Sequence, residues 1–256
     1  MFRTLPSNWL KPLLLAAAMA AGALPARAAE VAVAVAANFA APMQQIAQAF
    51  EAATGHKAVL SIGSTGRFYA QIRNGAPFAL LLAADDETPA RLEKEGLALP
   101  GTRFTYAIGR LALWSASPTG VDAQGEVLRK GDFQRLAIAD PRLAPYGAAA
   151  VEAMQRLGVF AAIEPRIVQG ESVGQAYQFV ATGNAALGFV ALSQVQSGGR
   201  IVRGSAWIVP AHLHKPLRQD AVLLPAGRAQ EAPKLLAAFL RGEEARAIMR
   251  GYGYEF

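Results

Sequence analysis

Three polar residues stand where an apolar strand hands over to a helix. Asn38 follows the alternating run Val31–Ala36, and Ser64 and Thr65 follow Ala58–Ile62 and Gly63. The first N–H groups of a helix have no partner inside it, and Asn, Ser and Thr are the residue types that cap them. Two such starts facing one space would offer neutral hydrogen-bond donors and the positive ends of two helix dipoles. That chemistry holds an oxyanion without transforming it, and it needs no salt bridge. Each residue taken alone reads more readily as an ordinary cap, so the anion reading rests on convergence. Pro42 complicates the first start, because proline prefers the first helical position and would make Ala41 the cap. In either register the amides around Asn38–Ala40 remain available.

Other chemistries find less support. Ser64 and Thr65 have no base beside them, and no Gly-x-Ser-x-Gly elbow, Walker loop or His-Glu-x-x-His pattern occurs. The absence of cysteine removes thiolate nucleophiles and thiolate metal sites. His212 and His214 would share one face of a strand, but no third ligand accompanies them, and they read as surface residues near a crossing. Arg67 opens a helix, where a cation opposes the dipole, and reads as a solvated side chain. Asp85 would repel an anion and reads as a cap or surface residue.

The elements that position these residues repeat one rhythm of short apolar run, turn and amphipathic run. Strands are expected at Val31–Ala36, Ala58–Ile62 and Ala79–Ala83, with helices after each; Met43, Ile46, Ala47 and Phe50 recur at helical spacing. Phe104–Trp114 is a further apolar run and Gly120–Gly131 a polar loop. Ala137–Ala139 is a short strand, followed by a turn-rich loop through Gly147 and a helix to Leu157. Ile167-Val168 opens the loop Gln169–Ser172 before a helix from Val173. Leu187–Leu192, Ala206–Pro210 and Asp220–Pro225 read as strands, and Gln230–Leu240 and Glu243–Arg250 as closing helices. Alternating β and α units predict an α/β fold with mostly parallel sheets, in which ligands sit beyond the carboxyl ends of the strands.

Arg3 and Lys11, the apolar stretch Pro12–Leu24 and the small-x-small Ala26-Arg27-Ala28 make 1–28 a secretory signal peptide, too short to span a membrane. Export to the periplasm follows as an expectation. Of the 256 residues, 25 are basic and 19 acidic; without Arg3, Lys11 and Arg27 the balance is 22 to 19. With no basic run or aromatic-basic stripe, a nucleic-acid partner is not expected. The chain is 53% hydrophobic and 17% charged, a globular composition.

Several segments taken together carry a resemblance. They are the strand–Ala-Ala-Asn-Phe–helix, Gly-Ser-Thr-Gly-Arg-Phe-Tyr-Ala-Gln-Ile, Asn-Gly-Ala-Pro-Phe and Ala-Ala-Asp. Ala-Asp-Pro…Ala-Pro-Tyr-Gly, Gly-Glu-Ser-Val-Gly-Gln-Ala and Leu-Gly-Phe-Val-Ala-Leu-Ser follow in order. The set resembles the periplasmic molybdate-binding proteins of ABC importers over nearly the whole chain beyond the leader. The resemblance implies a two-lobe type II periplasmic binding protein fold, with lobe one at 29–108 and 219–256 and lobe two at 109–218. It implies a monomer that captures molybdate, and also tungstate, between the lobes and delivers it to an inner-membrane ABC permease, with no cofactor and no catalysis. Carried over, the ligand set is Ala37 (by its amide), Asn38, Ser64 and Thr65 from lobe one, and Tyr146 and Val173 from lobe two. Some members have a tyrosine where this chain has Ala191, which leaves Ala191 in question. The alternatives are a receptor for another small anion and, more remotely, a periplasmic ester hydrolase.

Overall fold

Hydrophobic strands alternating with amphipathic helices build two sheets in a computed structural model that describes residues 28–256. All but the last residue of the expected signal peptide therefore lies outside the described residues. In chain order, β1 (Glu30–Ala36) leads through a 3₁₀ turn, Ala37–Phe39, into α1 (Ala40–Thr54). Then come β2 (Lys57–Gly63), α2 (Thr65–Arg73), β3 (Leu80–Leu82), α3 (Glu87–Lys94) and β4 (Phe104–Gly109). The second sheet begins with β5 (Leu111–Ser115), α4 (Val127–Lys130), β6 (Leu136–Ala139) and α5 (Pro145–Arg156). It continues with α6 (Phe160–Ile163), β7 (Ile167–Gly170), α7 (Val173–Ala181), β8 (Leu187–Ala191) and α8 (Leu192–Val195). A short β9 (Gln196–Ser197) and β10 (Arg200–Ile201) hairpin precedes β11 (Ser205–Ile208). The chain then returns to the first sheet with β12 (Leu217–Leu223) and closes with α9 (Glu231–Phe239) and α10 (Glu243–Gly251).

The strand orders are β2-β1-β3-β12-β4 and β11-β5-β8-β6-β7. Each sheet is parallel through three neighbouring strands, β2-β1-β3 and β7-β6-β8, and its other two strands run antiparallel to their neighbours. Central strands are buried on both faces, which a parallel strand covered by helices requires. Val31, Val33 and Val35 of β1 pack with Phe39, Met43, Ile46 and Phe50. Ala34, pointing the other way, meets Phe68, Ile72 and Leu81. Among the described residues, no helix is long and apolar enough to cross a membrane.

Three features differ from the sequence reading. Phe104–Trp114, one apolar run by composition, divides at Gly109-Arg110 into strands of different sheets. Ile167–Gly170, expected to run into a loop, is a strand throughout, because parallel pairing with β6 extends to Gly170. The last strand starts at Leu217, three residues ahead of its expected start, and carries an irregularity between Gln219 and Asp220. Bulges re-aim side chains, and both residues here are essentially fully buried.

Gly109 ends β4 at the crossing into the second sheet. A Cβ there would collide with the Tyr146 hydroxyl and the Gln219 carboxamide. Asp85, just past β3, accepts from the Thr88 amide at 2.8 Å and from its hydroxyl at 3.1 Å, which fits the expected capping role. Burial pushes its carboxyl up to about 6, against the hydrogen bonds from Thr88 that pull it down.

Two outcomes are expected. Gly109→Ala should cost about 1–3 kcal/mol of stability, as overpacking does; urea unfolding indistinguishable from the parent would refute the close approach. For Asp85, a folded pKa above that of the unfolded chain means the folded state binds more protons between about pH 4 and pH 6. Its stabilising contribution is thus fully present only below about pH 4 and is lost as pH rises through about 6. Asp85→Asn should therefore gain stability relative to the parent between pH 4.5 and pH 7.5. Urea titrations at the two pH values giving the same difference would contradict this.

Candidate functional site

Strand register does the first part of the assembly. In the first sheet Ala36 pairs with Gly63, so β1 and β2 end side by side, and Ala37-Asn38 and Ser64-Thr65 emerge together. In the second sheet Ala139 pairs with Gly170, so the segments leading to Tyr146 and Val173 also emerge together. All six candidates, Ala37, Asn38, Ser64, Thr65, Tyr146 and Val173, line one small cavity between the sheets, with Ser172, Pro145 and several small residues. The room left for a water-sized sphere is only about 10 Å³, the lower limit for a single water. Ala191 is not among the lining residues; it ends β8 and precedes α8.

Four helical starts face this space. Thr65 and Val173 are the first residues of α2 and α7, and Tyr146 follows Pro145 in the first turn of α5. The fourth start is the 3₁₀ turn at Ala37–Phe39. Here the sequence reading needs correction. α1 starts at Ala40 behind Phe39, not behind Asn38 or Ala41, and the Ala40 amide is spent on the Ala37 carbonyl. The Asn38 side chain caps nothing. Ser64 does occupy the cap position of α2, yet its hydroxyl makes no capping bond. The Thr65 hydroxyl accepts from the Ala84 amide at 3.0 Å, which ties α2 to the end of β3.

The electrostatics are those of dipoles, not ions. Among the described residues, no Lys, Arg, His, Asp or Glu lines the cavity. Burial pushes the Tyr146 phenol well up, so it stays a neutral donor at any physiological pH. Two buried side-chain atoms, Asn38 Oδ1 and the Ser64 hydroxyl oxygen, have no hydrogen-bond partner, and both belong to this cavity. Buried polar groups are ordinarily paired, and an exception calls for an explanation.

Behind the cavity lies a buried polar network. Asn38 Nδ2 donates to Gln219 Oε1 at 2.8 Å and to the Tyr254 hydroxyl at 3.0 Å. Gln219 Nε2 donates to the Tyr146 hydroxyl at 3.1 Å, and the Ser193 hydroxyl donates to the Asn38 carbonyl at 2.7 Å. These bonds join residues of the two sheets. So do the Gly66 amide, donating to the Leu143 carbonyl at 2.9 Å, and an exposed ion pair between Arg67 and Glu171. The lobes are therefore closed on one another, and Arg67, absent from the cavity lining, keeps the solvent-exposed side chain expected of it while pairing with Glu171.

Sequence reasoning missed Ser172, Gln219, Ser193 and Tyr254. Ser172 had a signal, a serine one residue before an amphipathic run; it caps α7 through the Gln175 amide. Gln219 and Tyr254 had none, since neither a polar residue within a strand nor a tyrosine near the end of a chain announces burial. His214 is another correction: it is buried, with Nδ1 at 2.7 Å from the Lys215 carbonyl, and His212 lies in a 3₁₀ turn, so the two do not share a strand face.

Comparison with known proteins agrees with this architecture. The family model for bacterial extracellular solute-binding proteins matches residues 31–255. The molybdate-binding protein ModA of Azotobacter vinelandii is 55% identical over 242 residues, covering 94% of this chain and 96% of the relative. The ModA of Rhodobacter capsulatus is 52% identical over 234 residues, covering 91% and 90%. The solved structure of the Azotobacter vinelandii periplasmic molybdate-binding protein superposes with a TM-score of 0.85 at 42% identity, covering 88% of this chain and 99% of that one. By the extent of the family match and the identity of these relatives, the chain belongs to the bacterial extracellular solute-binding protein family.

Proposed function

We propose that this protein captures molybdate, and tungstate as its near-isostere, in the cavity between the lobes and delivers it from the periplasm to an inner-membrane ABC permease. One observation carries the reading. The two unpartnered buried polar side chains, Asn38 and Ser64, share a small cavity framed by four helical starts and no ionised side chain. Such a site suits a compact dianion stripped of water and held by neutral donors. The Asn38 carboxamide, the Ser64 hydroxyl, the Tyr146 hydroxyl or amide, and the first-turn amides of Ala37, Thr65 and Val173 are the donors assigned here. The names of the curated relatives supply the identity of the anion. Discrimination from sulfate, which carries the same charge, falls to cavity size.

The protein acts as a monomeric receptor, not an enzyme. Ser64 is a serine without a base, and none of the side chains around it takes a proton at neutral pH. The lobes, dividing near 109 and 217, close about the crossings at Gly109-Arg110 and 209–216.

Calorimetry on the mature chain tests the assignment. Molybdate should bind at one site, with sulfate at least tenfold weaker, about 1.4 kcal/mol. Asn38→Ala and Ser64→Ala should each weaken molybdate by roughly tenfold while the fold is retained. Sulfate binding tightly with no binding of molybdate would overturn the identity of the anion. Normal binding by both variants would move the site elsewhere.

A further inference from the structure

Gln219 lies outside the cavity lining, yet it connects two residues of that lining, Asn38 and Tyr146. Its Oε1 accepts from Asn38 Nδ2 at 2.8 Å and lies 2.9 Å from the Tyr106 hydroxyl; its Nε2 donates to the Tyr146 hydroxyl at 3.1 Å. It is fully buried, next to the register shift at which Tyr106 of β4 is left without a partner on β12. In this arrangement both protons of Asn38 Nδ2 are engaged, by Gln219 and Tyr254, and the unpartnered atom of Asn38 is its oxygen. A carbonyl oxygen left over at the cavity repels an anion.

A second arrangement keeps every contact between members of the network a donor–acceptor pair with no change of packing, because the two ends of a carboxamide have the same shape. If Asn38 and Gln219 both turn end for end, Gln219 Nε2 donates to Asn38 Oδ1 and to the Tyr106 hydroxyl. Tyr106 in turn donates to the Ala83 carbonyl, 2.9 Å away. Gln219 Oε1 then accepts from Tyr146, Tyr254 donates to Asn38 Oδ1, and Asn38 presents an unpartnered N–H instead of an unpartnered oxygen. Neither carboxamide can turn alone without setting two oxygens or two N–H groups against each other.

We infer that Gln219 is a positioning residue for anion capture: its carboxamide, bonded to Asn38 and Tyr146, decides which end of the Asn38 carboxamide is left free at the cavity and holds it donor-out. This rests on the proposed capture of an oxyanion at Asn38. Its reach extends to residues that never touch the ligand, Tyr106 and Gln219 itself.

Gln219→Glu is the informative variant. Ionised, the new carboxylate only accepts; it holds Asn38 Nδ2 on one oxygen and the Tyr146 proton on the other, so the acceptor-out arrangement is locked. Protonated, its hydroxyl donates to Asn38 Oδ1 and its carbonyl accepts from Tyr146, which restores the donor-out arrangement. The groups facing position 219 are the phenols of Tyr106, Tyr146 and Tyr254, all raised by burial and neutral throughout. Next along the strand is Asp220, paired with Arg103 at 2.6 Å. Asp85, whose carbonyl accepts from the Asp220 amide, is raised by burial to about 6 in the parent. Comparison with the parent at each pH removes its effect.

Molybdate titrations of the parent, Gln219→Glu and Tyr106→Phe would be run from pH 5.5 to 8.5, with thermal unfolding of each apo protein. At pH 8.5, Gln219→Glu should bind at least roughly tenfold more weakly than the parent, and the ratio should fall toward one as pH is lowered. Tyr106→Phe strands a Gln219 proton only in the donor-out arrangement and should bind several-fold more weakly with its apo stability no lower at low pH than at high. Parental affinity of Gln219→Glu at pH 8.5, or of Tyr106→Phe at any pH, overturns the inference, as does a folded Gln219→Glu whose defect is the same at every pH. If Gln219→Glu does not fold, Tyr106→Phe decides. A parent that binds no molybdate removes the proposed function itself, an outcome distinct from a parent that binds and variants that behave like it.

Discussion

The site depends on register. Parallel pairing of Ala36 with Gly63 in one sheet and of Ala139 with Gly170 in the other aligns two strand ends in each sheet, and all the segments that follow them line one cavity. Every helical start around the cavity follows from those two pairings, because the chain turns into a helix within a few residues of each strand end. A slip by one residue in either pair would exchange the faces of a strand buried on both sides. Val31, Val33 and Val35 against α1, with Ala34 on the opposite face, fix β1 in place. The hydrophobic core thus specifies the position of donors that contribute little to it.

Closure is the second constraint. The lobes meet through backbone and side-chain hydrogen bonds around the cavity, and the chain end takes part. Ile108, beside the crossing, pairs with Glu255 in both directions, and Tyr254 reaches Asn38 and Ser193. The C-terminal residues therefore fasten the first crossing and the floor of the site at once. A buried polar network of this kind costs stability wherever a member lacks a partner. In this network the shortfall falls on atoms at the cavity, where the proposed ligand would make it good.

How much of this was legible in the sequence differs by residue. Asn38, Ser64 and Thr65 were legible as chemistry, because small polar residues at strand–helix junctions are a local signal. Tyr146 and Val173 were legible only through the likeness of whole segments to a family; their own neighbourhoods show a turn-rich loop and an apolar helix start. The capping role of Asn38 was misread because the 3₁₀ turn at Ala37–Phe39 shifts the helix start, and Pro42 points to a position two residues later. Gln219 was not legible at all. Its partners Asn38, Tyr106 and Tyr146 lie 181, 113 and 73 residues away in sequence, and tertiary context of that kind leaves no periodic trace.

The central claim is that the cavity bounded by Asn38, Ser64, Tyr146 and Val173 is where a molybdate ion would be held. Anomalous diffraction at the molybdenum edge from crystals of the mature protein grown with molybdate tests it most directly. A single molybdenum peak within hydrogen-bonding distance of Ser64 and of donors from both lobes is the result expected. A peak elsewhere, such as the wider space between Asp85–Thr88 and Lys215–Arg218, with this cavity empty, would contradict it.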